Sequence, residues 1–384
     1  MKLSDREVLQ AWECDRKKDR KWMVICLAAV ILIFLICMSI RYNGAYYDKK
    51  FVPLEYIKSF GLAIKLGFQR LTGQITKEEA EAVIESFDSI IYLGAFARLK
   101  ITLMSFVAGG ALAASGTIFQ TIYRNPMASP NLIGATAGVS LGNVIVVLVY
   151  SAEAITHIYL RYAYCYSLTA ICVGVTLLFG KLMGDKKENY SVMEMVMAGS
   201  IISQVMSVIS QYIMYNLEDE NLLVYEELML GTDVDTDTVS LAIFFGVMAI
   251  SLLPMLIMKY RMNAVGMSLT EARTLGINIA PMRLIGQICG ALMVTCAMIH
   301  FGQAGMISMV IPYMVRQSIG ADFKKVITYS ILAGGALMMV CRLVSSLILI
   351  SGEELPAAFL MNIILMPVFL VILARSGKRG AREA

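Results

Sequence analysis

Residues 109–138 read GGALAASGTIFQTIYRNPMASPNLIGATAG, and their pattern decides what kind of fold the chain can adopt. The first half is apolar and rich in Gly, Ala and Ser, the residue types that let helix backbones approach closely where lipid supplies no hydrophobic drive. It turns polar through Gln120, Tyr123, Arg124 and Asn125. Pro126 and Pro130 then break the helix, since each lacks an amide donor and restricts the residue before it. A second Gly/Ala-rich apolar run follows at once, with Gly134 and Gly138 permitting close packing. Read from the residues alone, this is a pair of membrane helices joined by a tight turn.

The rest of the chain agrees with a membrane setting. It has 384 residues, 58% hydrophobic and only 16% charged, with a mean hydropathy of +0.69. Soluble domains sit near half apolar and about a quarter charged, so this balance marks a polytopic membrane protein. A span needs about 20 mostly apolar residues, which leaves room for about ten. The net charge of +4 gathers at the ends and in short loops, a topology signal rather than a nucleic-acid footprint. Eight cysteines are scattered. Seven lie in apolar runs, where Cys behaves as a small hydrophobe. Cys14 sits among charges and reads as a reduced cytosolic thiol.

Taken in order, residues 1–21 form a basic cytoplasmic segment before a first span at 22–40, by the excess of Lys and Arg. Residues 41–97 form a long extracytoplasmic loop, in which 77–90 has helical spacing with Thr76 as its N-cap. Further spans are expected near 101–118, 132–150, 162–183, 192–215, 239–258 (interrupted by Pro254), 284–301 and 326–350, with a last span opened by Leu355-Pro356. The outer segment after 215 is acidic, with Glu218, Asp219, Glu220, Glu226 and Glu227. Its spacing is not that of a calcium loop, and solvated, helix-capping carboxylates account for it. Within it Leu222, Tyr225, Leu228 and Met229 fall at helical intervals before Gly231, which predicts a short helix at the outer mouth. Residues 259–283 form a basic cytoplasmic loop. There Ser268 can cap a two-turn helix carrying Glu271, which Gly276 closes after Arg273.

The ordered string Ser-Gly-x-x-x-Gln, then Asn-Pro-Met-Ala-x-Pro-x-x-x-Gly, over residues 115–134, closely resembles the signature of permeases in iron-siderophore, haem and cobalamin ABC importers, the FecCD family. Those usually carry Leu where this chain has Met127. Two later segments extend the resemblance. Residues 267–277, with Ser268, Leu269, Thr270, Glu271, Ala272, Arg273, Leu275 and Gly276, resemble the family's coupling helices, which seat on ATPase subunits; Thr270 replaces a Gly. Residues 302–313 parallel a family motif ending in Pro-His, with Tyr313 for the His and Ser308 for a Gly. The resemblance implies that 222–231 is a gating helix. It also implies that Arg98, with Lys100 supplying a charge where Ile101 replaces a family Arg, docks an external binding protein.

No catalytic set appears. His157 and His300 stand apart from any metal-ligand pattern, and there is no Gly-x-x-x-x-Gly-Lys-Ser/Thr loop for ATP. Gln204 and Gln211 can share one face of their span, and Arg342 lies inside another, either satisfied by a neighbouring helix or facing the path. The 27 Met residues read as soft apolar filling rather than a metal-binding thioether lining.

The fold expected is therefore an all-α polytopic bundle of about ten transmembrane helices, of the type II ABC importer permease kind. It comprises a transmembrane domain at 22–374 and a cytoplasmic tail at 375–384. The resemblance implies a permease of a bacterial cytoplasmic membrane, both termini inside, that imports a ferric siderophore or a related metal chelate or tetrapyrrole. Its partners would be a second permease subunit, two cytosolic ATPase subunits, which would bind the ATP, and an extracytoplasmic substrate-binding protein. The chain itself would bind no cofactor. An ion-coupled secondary transporter is the alternative; it would want paired ionisable groups near the midplane or inverted repeats.

Overall fold

The structure is a computed structural model that describes residues 5–39, 89–183, 192–231, 238–267, 274–350 and 353–383, with isolated positions 58, 61, 62, 65, 69 and 272. The predicted 77–90 helix with its Thr76 cap falls almost wholly outside these, as do Ser268, Leu269, Thr270, Glu271 and Arg273. The chain divides into two units, Met1–Met104 and Ser105–Ala384.

Among the described residues, twelve α-helices follow one another: α1 Asp5–Ser39, α2 Ser89–Tyr123, α3 Ala135–Tyr150, α4 Ile158–Met183, α5 Val192–Tyr215, α6 Asp219–Leu230, α7 Thr238–Ile257, α8 Lys259–Met267, α9 Ile279–Phe301, α10 Met306–Ile319, α11 Phe323–Leu347 and α12 Ala357–Glu383. Seven are long and apolar enough to cross a membrane, and α3 and the apolar part of α12, Ala357–Val371, are shorter. With the 14-residue α10 these make up the ten helices that the hydropathy of the chain implies. A two-residue hairpin, Leu349–Ile350 with Glu353–Glu354, joins α11 to α12.

Several boundaries differ from expectation. Helix α2 begins at Ser89, so Arg98 and Lys100 lie within it rather than in a segment before it. Pro254 does not interrupt α7. It sits near the end, where its carbonyl still accepts from Met258 N at 2.9 Å and the next turn continues into α8. Helix α12 passes Pro367 and runs to Glu383, carrying the basic tail along as helix.

In the first unit α1 exposes Trp22, Ile31, Leu32 and Leu35 and buries Cys37 and Met38. In the second, α2 is the central rod: Ala108, Leu112, Ala113, Ala114, Ile118 and Phe119 are fully buried. Its glycines explain how. Gly109 lies against the backbone of Gly334 on α11, and Gly116 against the carbonyl of Ser308 on α10, so neighbouring helices touch main chain to main chain. Gly138 and Gly142 do the same for α3 against Thr169 and Cys165 of α4. In lipid, where apolar side chains gain nothing by leaving one apolar medium for another, such van der Waals contact holds helices together.

Chain direction then fixes two ends. Helix α2 finishes at the Asn-Pro turn, α3 runs away from it to Tyr150, and Tyr150 packs with α6 in a cluster of Val144, Val147, Val224, Tyr225 and Leu228. Helix α9 starts beside α2's last turns, where Gly286 meets Ile118 and Ile122, and ends with Phe301 and Gly302 against Gly231 and Leu230.

Candidate functional site

At the turn end, α2 stops because Arg124 takes a left-handed conformation (φ 47°) and Pro126 cannot extend it. Asn125 then caps the reversal. Its Oδ1 accepts from Met127 N at 2.9 Å and its carbonyl from Ala128 N at 3.0 Å, a side-chain-mediated turn that Asn favours. Residues 124–127 are exposed, while 128–130 are buried. Pro130 opens a 3-10 turn, Pro130–Ile133, which Gly134 closes at φ 77°; a side chain there would be strained. Gln120 is buried and its Nε2 donates to Met309 O at 2.9 Å. The signature residues thus join α2, α10 and the start of α3.

The segment expected to couple to the ATPase, 267–277, adjoins this same end, since Gly266 of α8 sits against Thr121 of α2. Its described part is a helix stop. Gly276 has φ 72°, and Ile277 N donates to Ala272 O at 3.0 Å, the six-to-one bond of a Schellman cap. Gly276 therefore closes the helix as its sequence position implies. Ala272 is buried, whereas Leu275 is 69% exposed. Asn278 caps α9 by accepting from Ala280 N at 3.3 Å.

At the opposite end, α6 spans Asp219–Leu230 with Gly231 as its C-cap. Tyr225 and Leu228 are buried, Leu222 and Met229 half-buried, and Glu226 and Glu227 face out. Burial pushes the Tyr225 phenol up, so it stays neutral. Two buried side chains that the sequence reading did not single out hold this helix. Arg161 of α4 is 1% exposed; its Nε donates to Asn143 Oδ1 at 2.9 Å and its Nη2 to Leu228 O at 2.7 Å. A lone Asn in the apolar run of α3 was the available signal. Arg161 lies one residue outside the span expected at 162–183.

Arg98 is also buried, and its Nε donates to Cys37 O at 2.9 Å. It is not the exposed charge that docking calls for; Lys100 is half-buried. Arg342 is buried, with Nη1 donating to Ser345 Oγ at 3.1 Å. Gln204 and Gln211 share an exposed face of α5. His300 hydrogen-bonds Tyr162 OH, and His157 faces Glu153 at 3.6 Å. Among the described residues no group of three His, Cys, Asp or Glu side chains is arranged to hold a metal.

Among the described residues the second unit is therefore a helical bundle with a proline-broken turn at one end and a short capped helix at the other. The profile of the FecCD transport family matches residues 59–375, and the chain belongs to that family. A protein of Methanocaldococcus jannaschii described as "Putative ABC transporter permease protein" is 28% identical over 290 residues, 73% of this chain and 81% of that one. A "Probable iron chelatin transport system permease protein" of Helicobacter pylori is 25% identical, covering 73% and 81%. The molybdate import system permease protein of Haemophilus influenzae is 24% identical, covering 74% and 82%. Among solved structures, "An inward-facing conformation of a putative metal-chelate type ABC transporter" matches with TM-score 0.70 at 20% identity, covering 93% of this chain and 99% of that chain. The shared fold is thus a permease bundle.

Proposed function

We propose that this chain is the membrane subunit of an ATP-driven importer that carries a ferric siderophore or a related metal chelate or tetrapyrrole, handed over by an extracytoplasmic binding protein. It works beside a second permease subunit, identical or homologous, and two cytosolic ATPase subunits, with both its termini in the cytoplasm. ATP stays on the partners. The observation that carries this reading is α9. The helix begins two residues after the Schellman-capped coupling segment and ends against the C-cap of α6, so a single rod of 23 residues, about 34 Å long, links the two ends. Movement imposed at the coupling segment has a direct path to α6. Transport then depends on contacts that differ between the two states of the path.

The test is reconstitution with the cognate ATPase and binding protein in proteoliposomes. Uptake of a radiolabelled ferric hydroxamate should require ATP and the binding protein. Uptake driven by an ion gradient without the ATPase would overturn the importer assignment in favour of a secondary transporter. ATP-driven uptake of molybdate with none of the ferric chelate would overturn the cargo and leave the importer standing.

A further inference from the structure

The C-terminal end of α6 is held in a way that its N-terminal end is not. A helix leaves its last four carbonyls without helical partners. Here Glu227 O accepts from Gly231 N at 3.1 Å, within the cap itself. The next two are held by other elements: Leu228 O accepts from Arg161 Nη2 at 2.7 Å, and Met229 O from Gln303 N at 3.2 Å. Leu230 O lies against Gly302, close enough that no side chain would fit there.

The guanidinium is itself fixed. Arg161 Nε donates to Asn143 Oδ1, which also accepts from Cys165 Sγ at 3.4 Å. Asn143 Nδ2 reaches back to Met229 Sδ at 3.4 Å. A buried cation thus sits at the negative end of the α6 dipole, where a positive charge is favoured, with Glu227 adding attraction from the same helix end. By contrast Glu218, the residue before α6, makes no side-chain cap, and residues 218–220 are exposed.

We propose that Arg161, oriented by Asn143, is the positioning residue that pins the C-terminal end of α6, so that α6 opens by swinging about this pinned end with its N-terminal end travelling furthest. The proposal rests on the reading of α6 as the outer gate. Lys cannot replace Arg fully, since its compact ammonium lacks the rigid fork that serves Asn143 and Leu228 O together.

The test uses the reconstituted transporter with Cys placed at Leu223, an exposed α6 position, and labelling by a membrane-impermeant maleimide. Labelling is compared between the nucleotide-free and vanadate-trapped states. If the Leu223→Cys protein with no other change labels equally in both, the gate reading itself fails. If it differs, Arg161→Met should reduce that difference at least fivefold and uncouple ATP hydrolysis from uptake, with Arg161→Lys between the two. Asn143→Leu, which removes both the acceptor that orients the guanidinium and the amide that reaches Met229, should also reduce the difference several-fold; it decides the matter should Arg161→Met fail to insert. Wild-type labelling in both Asn143→Leu and any inserted Arg161 variant overturns the proposal.

Discussion

The body of the second unit and its α6 end are held in different ways. Along α2 and α3, helices meet through absent side chains: Gly109, Gly116, Gly138 and Gly142 bring backbones into contact with α11, α10 and α4. At α6, where Gly231 and Gly302 also bring backbones close, side chains add a hold of their own, through a buried guanidinium and a buried amide. The first arrangement is short-range and rigid, because van der Waals contact between main chains leaves no room for displacement. The second is a set of directed hydrogen bonds, a clasp that fixes orientation. A rigid seam along the bundle and an oriented clasp at α6 are thus the two devices that hold the second unit together.

The largest expected effect comes from breaking the rigid seam. Gly116→Ala puts a methyl group into the Ser308 carbonyl on α10, with backbone on both sides and no flexible side chain to yield. The cost should reach about 3 kcal/mol, the upper part of the overpacking range, and remove most folded protein from the membrane. Gly246→Ala on α7 is the control. Nothing lies within 4 Å of its added carbon, so it should be neutral or stabilise by about 0.5–1 kcal/mol through helix propensity. Equal detergent-solubilised yields and melting temperatures for the two variants would show that the close contacts are not what holds the bundle.

The same difference also explains what the sequence could disclose. Close packing and turns leave local traces: Gly and Ala at small spacings, Pro126, Pro130, and a Gly where φ must be positive, as at Gly134, Gly231 and Gly276. These made the bundle, the turn, the coupling stop and the extent of α6 legible. The clasp has no local trace, because Arg161, Asn143 and Leu228 are far apart in the chain and their pairing is a product of tertiary packing. The burial of Arg98 is hidden for the same reason: a charge at the edge of a span looks exposed until the partner, Cys37 O, is known. The continuation of α2 back to Ser89 was hidden by Arg98 and Lys100, whose charges imitate a span boundary.

A second test sharpens the comparison from the coupling side. Leu275 is a large apolar residue standing 69% exposed on the Schellman turn, an arrangement that a partner surface would cover. Leu275→Glu should lower ATPase copurification and uptake about tenfold, roughly 1.4 kcal/mol of association, with melting unchanged. The double variant Glu271→Ala/Arg273→Ala should do the same. Normal copurification in both would remove the coupling assignment. Next in size is Gly276→Ala. No atom crowds its added carbon, so the whole effect is the left-handed backbone at φ 72°, about 1 kcal/mol. The loss should be local: faster hydrogen exchange at the Ile277 amide, which donates to Ala272 O, without a shift in bundle melting. A fall in global melting would instead mean that the coupling segment is part of the rigid seam.

The smallest expected effect falls on the turn's own signature residue. Asn125 is exposed, and its Oδ1 accepts one bond, from Met127 N at 2.9 Å. In Asn125→Ala that amide turns to water, so the loss is near the net value of one hydrogen bond, about 0.5–1 kcal/mol, rather than the larger penalty of a buried orphan. The protein should accumulate and melt close to wild type. Exposure of Asn125, Pro126 and Met127 at the same end as Leu275 then gives uptake its diagnostic value. Wild-type yield with reduced ATP-driven uptake would make the turn part of the surface that meets the ATPase. Wild-type uptake would leave it a helix stop and nothing more. A collapse in yield would contradict both, and would mean that the turn is buried in the assembled transporter.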